Sequence, residues 1–205
     1  LHLEVLVHRL VREFGVRANV GRPRVAYKQT IRKTIEAEGK FIRPAGQTRG
    51  HFGHVVLRVE PHEGRERVSF VSTASDEDVP TAFVPAIEVG VKTAAESGVG
   101  LGFPVVNVRI TLVGGSQQIE DSSEMAYEAA ASIALDQAFE QAGAVLLGQE
   151  MRIEIRVPAK HMGDVLADLQ RRRCDISGME EVEGLRVIRG TVPLERMFGY
   201  STHLK

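Results

Sequence analysis

The chain has 205 residues, 43% hydrophobic and 26% charged, the composition of a soluble globular protein with one large or two small cores, two domains being expected. A single cysteine, Cys174, excludes an internal disulfide and points to a reducing, cytoplasmic setting. No run approaches the roughly 18 apolar residues that span a bilayer, and the start lacks the charged-then-apolar order of a signal peptide, so no membrane contact is expected. The net charge of −1 hides an asymmetry: residues 1–59 hold twelve Lys or Arg against four Glu (+8), and residues 60–205 hold fourteen against twenty-three acids (−9). One end is thereby suited to phosphate.

In chain order, Leu3, Leu6, Val7, Leu10 and Val11 recur at helical spacing, and Gly15 is a stop signal. The helix starts without Met or a capping residue, so the chain is expected to be part of something longer. Gly21, Arg22 and Pro23 read as a connection. Val55, Leu57 and Val59, and later Val106, Val108, Ile110 and Leu112, alternate with their neighbours as half-buried strands do, and each strand needs a helix over one face. One helix is predicted from Pro85 to near Gly98, and a long one after Asp121, with Asp121 as its cap and Glu124 reaching back. Met125, Ala129, Ile133 and Phe139 are its expected buried side, its many alanines permit close approach to a sheet, and Gly143 ends it. From Ala144 onward the strategy repeats on a smaller scale. Met151, Ile153, Ile155 and Val157 predict a strand, and Met162, Val165, Leu166 and Leu169 a helix. Residues 176–182 and 185–192 form a predicted hairpin about Glu183 and Gly184, and Pro193 opens a last short helix through Met197 and Phe198. The order βαββα is that of a ferredoxin-like domain short of its final strand.

Gly98, Gly100 and Gly102 suggest a phosphate loop, but a helix precedes them and a strand follows, the reverse of the dinucleotide fingerprint, so they read as a turn. No Gly-Lys-Ser or Gly-Lys-Thr is present, hence no visible GTP or ATP site. His51, His54 and His62 have neither a cysteine nor an acid among residues 39–59, and no metal is assigned to them. Arg171, Arg172 and Arg173 precede Cys174 and suit either a lowered thiol pKa or the solvated end of a helix. No base is indicated beside it, and no catalytic residue is assigned.

Two loops carry the chemistry. Residues 39–59 hold Lys40, Arg43, Arg49 and Arg58 and no acid, and within them Gly46, Gln47, Thr48, Arg49, Gly50 and His51 form a glycine-rich basic tip followed by Phe52. Glycine admits phosphate closely, arginine neutralises it, and the His51 or Phe52 ring suits stacking on an unpaired base. In the second loop Gly115, Ser116, Gln117, Gln118 and Ile119 join a strand to the long helix and present two amides. Amides bond base edges or ribose hydroxyls, a plain flexible connection being the alternative.

Blocks in a fixed order resemble the elongation factor G family over essentially the whole length. Leu1-His2-Leu3-Glu4, Glu13-Phe14-Gly15-Val16 and Ala18-Asn19-Val20-Gly21-Arg22-Pro23 are similar to the end of that family's third domain. Val25-Ala26-Tyr27-Lys28-Gln29-Thr30-Ile31, Gly53-His54-Val55, Phe103-Pro104-Val105-Val106 and Asp121-Ser122-Ser123-Glu124 resemble the fourth. Gly163-Asp164-Val165, Leu169-Gln170-Arg171-Arg172-Arg173 and Met197-Phe198-Gly199-Tyr200-Ser201-Thr202 resemble the fifth. The resemblance implies an α+β chain: residues 1–23 ending the third domain, residues 24–143 a ribosomal-protein-like βαβ fourth domain, and residues 144–205 a truncated ferredoxin-like fifth domain.

It further implies a non-catalytic, cytoplasmic fragment whose partners are the ribosome, with its ribosomal RNA, tRNA, mRNA and ribosomal proteins, and the factor's own N-terminal GTPase domains. GTP and Mg2+ belong to those preceding domains, leaving this fragment without a cofactor. In the family the fourth domain enters the decoding site during translocation, and by position its tip loops are residues 46–51 and 115–119. Where the usual bacterial tip has tyrosine, histidine and aspartate before Val-Asp-Ser-Ser-Glu, this chain has Gln117, Gln118, Ile119 and Glu120. Loss of the ring at Gln118 implies a weaker or differently shaped RNA contact, and so a paralogue acting in ribosome recycling, rescue or ribosomal protection as an alternative. Outside this class stand a small-molecule kinase of related βαβ fold using residues 98–102, and a purely structural protein-interaction domain.

Overall fold

The computed structural model describes residues 2–17, 24–44 and 49–200. Contacts group Tyr27–Leu147 into one unit, and Leu1–Ala26 with Gly148–Lys205 into another. Helix α1 spans His2–Arg12, followed by Gly15 at φ +62°.

In the Tyr27–Leu147 unit, the alternation around Val55–Val59 becomes the long strand β3 (His51–Pro61), with β2 (Ile35–Arg43) antiparallel on one side and β5 (Val108–Ser116) on the other. Strand β4 (Val68–Ser72), which periodicity did not reveal, runs parallel to β5, giving the order β2-β3-β5-β4. Between β4 and β5 lies helix α2 (Val84–Ser97), so this stretch is a βαβ crossover. Helix α3 (Glu124–Ala142) crosses the same sheet beside α2, against β2 and β3. Val55, Leu57, Val59, Val108, Ile110 and Leu112 point into the core that these helices close.

Alanine and glycine together set how closely α3 lies on the sheet. A methyl group on Gly39 would come within 2.0 Å of the Ala130 carbonyl oxygen, and one on Gly53 within 2.3 Å of the Ala126 carbonyl. The helix backbone therefore rests on two glycines, and Ala126, Ala130, Ala131, Ala134 and Ala138 form its buried stripe with Tyr127, Leu135 and Phe139. This corrects the expected face. Phe139 is buried, but Met125 is half exposed and Ala129 and Ile133 are only partly covered, because bulky residues at the contact would hold the helix off the strands. The cap differs as well. Ser123, not Asp121, is the N-cap and makes no side-chain capping bond.

A short pair closes the unit: β1 (Lys28–Thr30) is antiparallel to β6 (Val145–Leu147). That pairing carries the contact boundary to Leu147, past Gly143 at φ +74°, where α3 ends.

Gly148–Lys205 begins with β7 (Glu150–Pro158) and helix α4 (Met162–Arg171), then the hairpin β8 (Asp175–Val182) and β9 (Leu185–Pro193). Glu183 and Gly184 turn it at φ +53° and +79°, the signs a type I′ hairpin needs. The antiparallel order β7-β9-β8 with α4 is the ferredoxin-like βαββ arrangement. Val157, Val165, Leu169, Ile188 and Tyr200 form its small core. After Pro193 the chain makes a 3-10 turn, Leu194–Arg196, and residues 201–205 lie outside the described residues. Both described units are α+β.

Candidate nucleic-acid interface

The sheet brings both tip loops to one end. Strand β3 starts at His51, the last residue of loop one, and β5 ends at Ser116, the second residue of loop two, so the antiparallel pairing places their roots side by side. The contact continues beyond the strands. Phe52 N–H donates to Asp121 O (2.7 Å), Arg49 Nε–H to Glu120 O, and His51 Nδ1 lies 2.9 Å from Ser123 Oγ. Gly50 is buried against the Asp121 carboxylate, which an added methyl, 2.7 Å from Oδ1, would have to displace.

Loop two is a tight turn. Gln118 O accepts from both Asp121 N–H (3.2 Å) and Ser122 N–H (2.8 Å), and Gln118 N–H donates to Ser122 Oγ (2.9 Å). The Tyr127 hydroxyl donates to Ser116 O (3.0 Å) from below, and burial pushes its pKa up, keeping it a donor. His54, three residues into β3, links the root of loop two to β2: Nδ1 is 2.7 Å from Ser116 Oγ and Nε2 is 2.9 Å from Glu38 Oε1.

The expected site residues therefore differ in what they offer. Arg49, Gln117, Gln118 and Ile119 are exposed, with Ile119 at 91%. His51, Gly115 and Ser116 are half-buried and Gly50 is buried, while Gly46, Gln47 and Thr48 lie outside the described residues. Phe52 is a correction: at 4% exposure under Lys40, whose Nζ is 5.9 Å from its ring centre, it is a core residue with no free face for a base. A third segment that sequence reasoning passed over adjoins loop two. Gln117 Nε2 donates to Glu77 O (3.2 Å), which brings Asp76, Glu77 and Asp78 to the same end.

That segment carries its own lock. Asp76 Oδ1 accepts from the Thr81 N–H and the Thr81 hydroxyl, both at 2.7 Å, and these bonds hold its pKa below the usual carboxylate value. A depressed folded pKa means the lock is in place at neutral pH and is lost as pH falls below the ordinary carboxylate range through the lowered value. The protection factor of the Thr81 amide is expected to drop across that window, and Asp76→Asn to abolish the acid dependence. An unchanged profile in Asp76→Asn would assign the transition to another group.

The other sequence candidates resolve differently. Gly98, Gly100 and Gly102 do turn with positive φ, but their amides are already used: Gly98 N–H donates to Ala94 O, Gly100 N–H to Asp136 Oδ1, Leu101 N–H to Gln29 Oε1 and Gly102 N–H to Val99 O. The fully buried Gln29 fills this loop, its Nε2 donating to Val99 O and Phe103 O. A phosphate would find no free donors among these amides. Burial, with Asp175 adding to it, pushes the Cys174 thiol up rather than down, despite the arginines before it. Among the described residues no three His, Cys, Asp or Glu converge as metal ligands, and no helix is long and apolar enough to cross a membrane.

Fold and tip together define an α+β protein of two units, in which two loops are presented side by side at one end of the four-stranded sheet. Residues 23–143 match the family model for elongation factor G, domain IV, and residues 150–205 that for the elongation factor G C-terminus. A crystal structure from Thermus thermophilus is similar at 36% identity and a TM-score of 0.82, over 98% of this chain and 30% of that one. The chain belongs to the elongation factor G family, of which it carries domain IV and the C-terminal domain; it spans about a third of the length of the solved relative.

Proposed function

We propose that this chain is the ribosome-binding part of a translational GTPase of the elongation factor G type, which promotes tRNA–mRNA translocation when its domain IV enters the decoding site. The reading rests on the juxtaposition of the two loops, held by the Phe52–Asp121 and Arg49–Glu120 hydrogen bonds. Arg49 at the rim supplies charge to phosphate, and the Gln117 and Gln118 amides supply hydrogen bonds to bases or ribose. GTP and Mg2+ are assigned to the factor's other domains, and its place of action to the cytoplasm. The second reading, recycling or ribosomal protection, is favoured by Gln118 standing where the family carries a ring.

In the complete factor, Arg49→Gln combined with His51→Ala is expected to weaken ribosome engagement about three- to tenfold at physiological salt, the size of losing one or two phosphate contacts. Translocation and subunit splitting, measured side by side, then separate the two readings by which rate falls. If both rates are unaltered, the tip assignment is wrong.

A further inference from the structure

The described residues beside the two tip loops differ in charge, and we infer that they divide the RNA between them: Lys40, Arg43 and Arg49 hold the phosphate backbone, while loop two inserts Ile119 as an apolar wedge against a nucleobase. This rests on the RNA reading above and adds which part of the nucleotide each loop takes. On the loop-one side no Asp or Glu occurs from Gly39 to Val59, and Lys40, Arg43 and Arg49 are exposed. On the loop-two side no Lys or Arg occurs from residue 110 to 151, nor from 68 to 91, and the exposed neighbours are Glu77 and Glu120. Loop two and its neighbours supply no cation of their own, the Arg49 guanidinium that reaches Glu120 O coming from loop one, so a phosphate is held on the loop-one side. What a carboxylate-flanked loop can accept is the uncharged part of a nucleotide, the face and edge of its base.

Ile119 is built for that contact. It is 91% exposed, the most exposed of the large hydrophobic side chains among the described residues, at the turn between Gln118 and Ser122. Leaving a β-branched apolar side chain in water gains nothing for folding. Its turn is nevertheless fixed by the three Gln118 bonds and tied to loop one through Glu120 and Asp121, so little order remains to be imposed on binding. Proteins that unstack nucleic acid use isoleucine and similar residues in this manner, sliding the side chain between adjacent bases. Gln118, next in the chain, places an amide beside the wedge to bond the base edge.

The test uses this chain and small ribosomal subunits programmed with tRNA and a messenger RNA carrying 2-aminopurine in the decoding codon, titrated from 50 to 200 mM KCl at constant Mg2+. The parent chain is expected to raise 2-aminopurine fluorescence by unstacking it. Ile119→Ala should bind about tenfold more weakly at every salt concentration, with the slope of log K against log salt unchanged and the fluorescence rise lost. Ile119→Leu should restore both. Arg43→Gln should reduce the slope by about 0.7 while keeping the fluorescence rise at saturation. If Ile119→Ala matches the parent in affinity and fluorescence while Arg43→Gln changes the slope, the wedge is overturned and the RNA reading stands. If the parent's binding has no salt slope and neither variant changes it, the RNA reading falls and takes the wedge with it.

Discussion

Gly39→Ala and Gly53→Ala should each destabilise the Tyr27–Leu147 unit by about 3 kcal/mol or more, the upper end of overpacking costs. Most overpacked side chains escape by rotating, but here the atoms in the way are backbone: Ala130 O at 2.0 Å and Ala134 N at 2.5 Å for Gly39, Ala126 C and O at 2.3 Å for Gly53. The helix must lift from two strands at once, opening gaps under Ala134 and Phe139 on the way. An entropic gain of roughly 0.4–1 kcal/mol from stiffening the unfolded chain offsets only part of this. For a unit of this size the melting temperature should fall by about 10 °C. Gly114→Ala is the control, since a methyl there meets nothing within 4 Å. Equal melting curves for Gly39→Ala and Gly114→Ala would show that α3 does not rest on the strand.

Gln29→Leu should cost about 3 kcal/mol, from a side chain of similar size with no polar atoms. It leaves the Phe103 carbonyl without its Gln29 donor and the Leu101 amide without its side-chain acceptor, and Val99 O keeps only the Gly102 N–H of its two donors. The effect should be local first: amide exchange across residues 98–103 should accelerate more than exchange in β3 or α3. Retention of native protection in that loop would mean that the positive-φ glycines hold the turn unaided.

What the sequence made legible follows from how local each signal is. Helix α2, the glycine end of α3 and the hairpin at Glu183 and Gly184 were readable because proline, glycine and period-two alternation act on their immediate neighbours. The short strands β1 and β6 were not, because three residues carry no period and their partners lie more than a hundred positions away. The buried face of α3 was misjudged by giving weight to size. Met125 and Ile133 are the more apolar residues, yet glycines in β2 and β3, invisible from the helix itself, make alanine the contact. At the tip, composition alone singled out both loops, whereas the burial of Phe52, the role of Gln29 and the nearness of Glu77 depend on pairings that no local pattern encodes.

The pairing of Lys28 with Leu147 means that the polypeptide leaves its domain IV where it came in, at neighbouring positions about 5 Å apart. Everything between is a closed excursion of the chain, so the unit is portable. Spliced into a surface loop of an unrelated host, it would demand almost no widening of the splice point, and a graft of this kind would carry both tip loops with it intact.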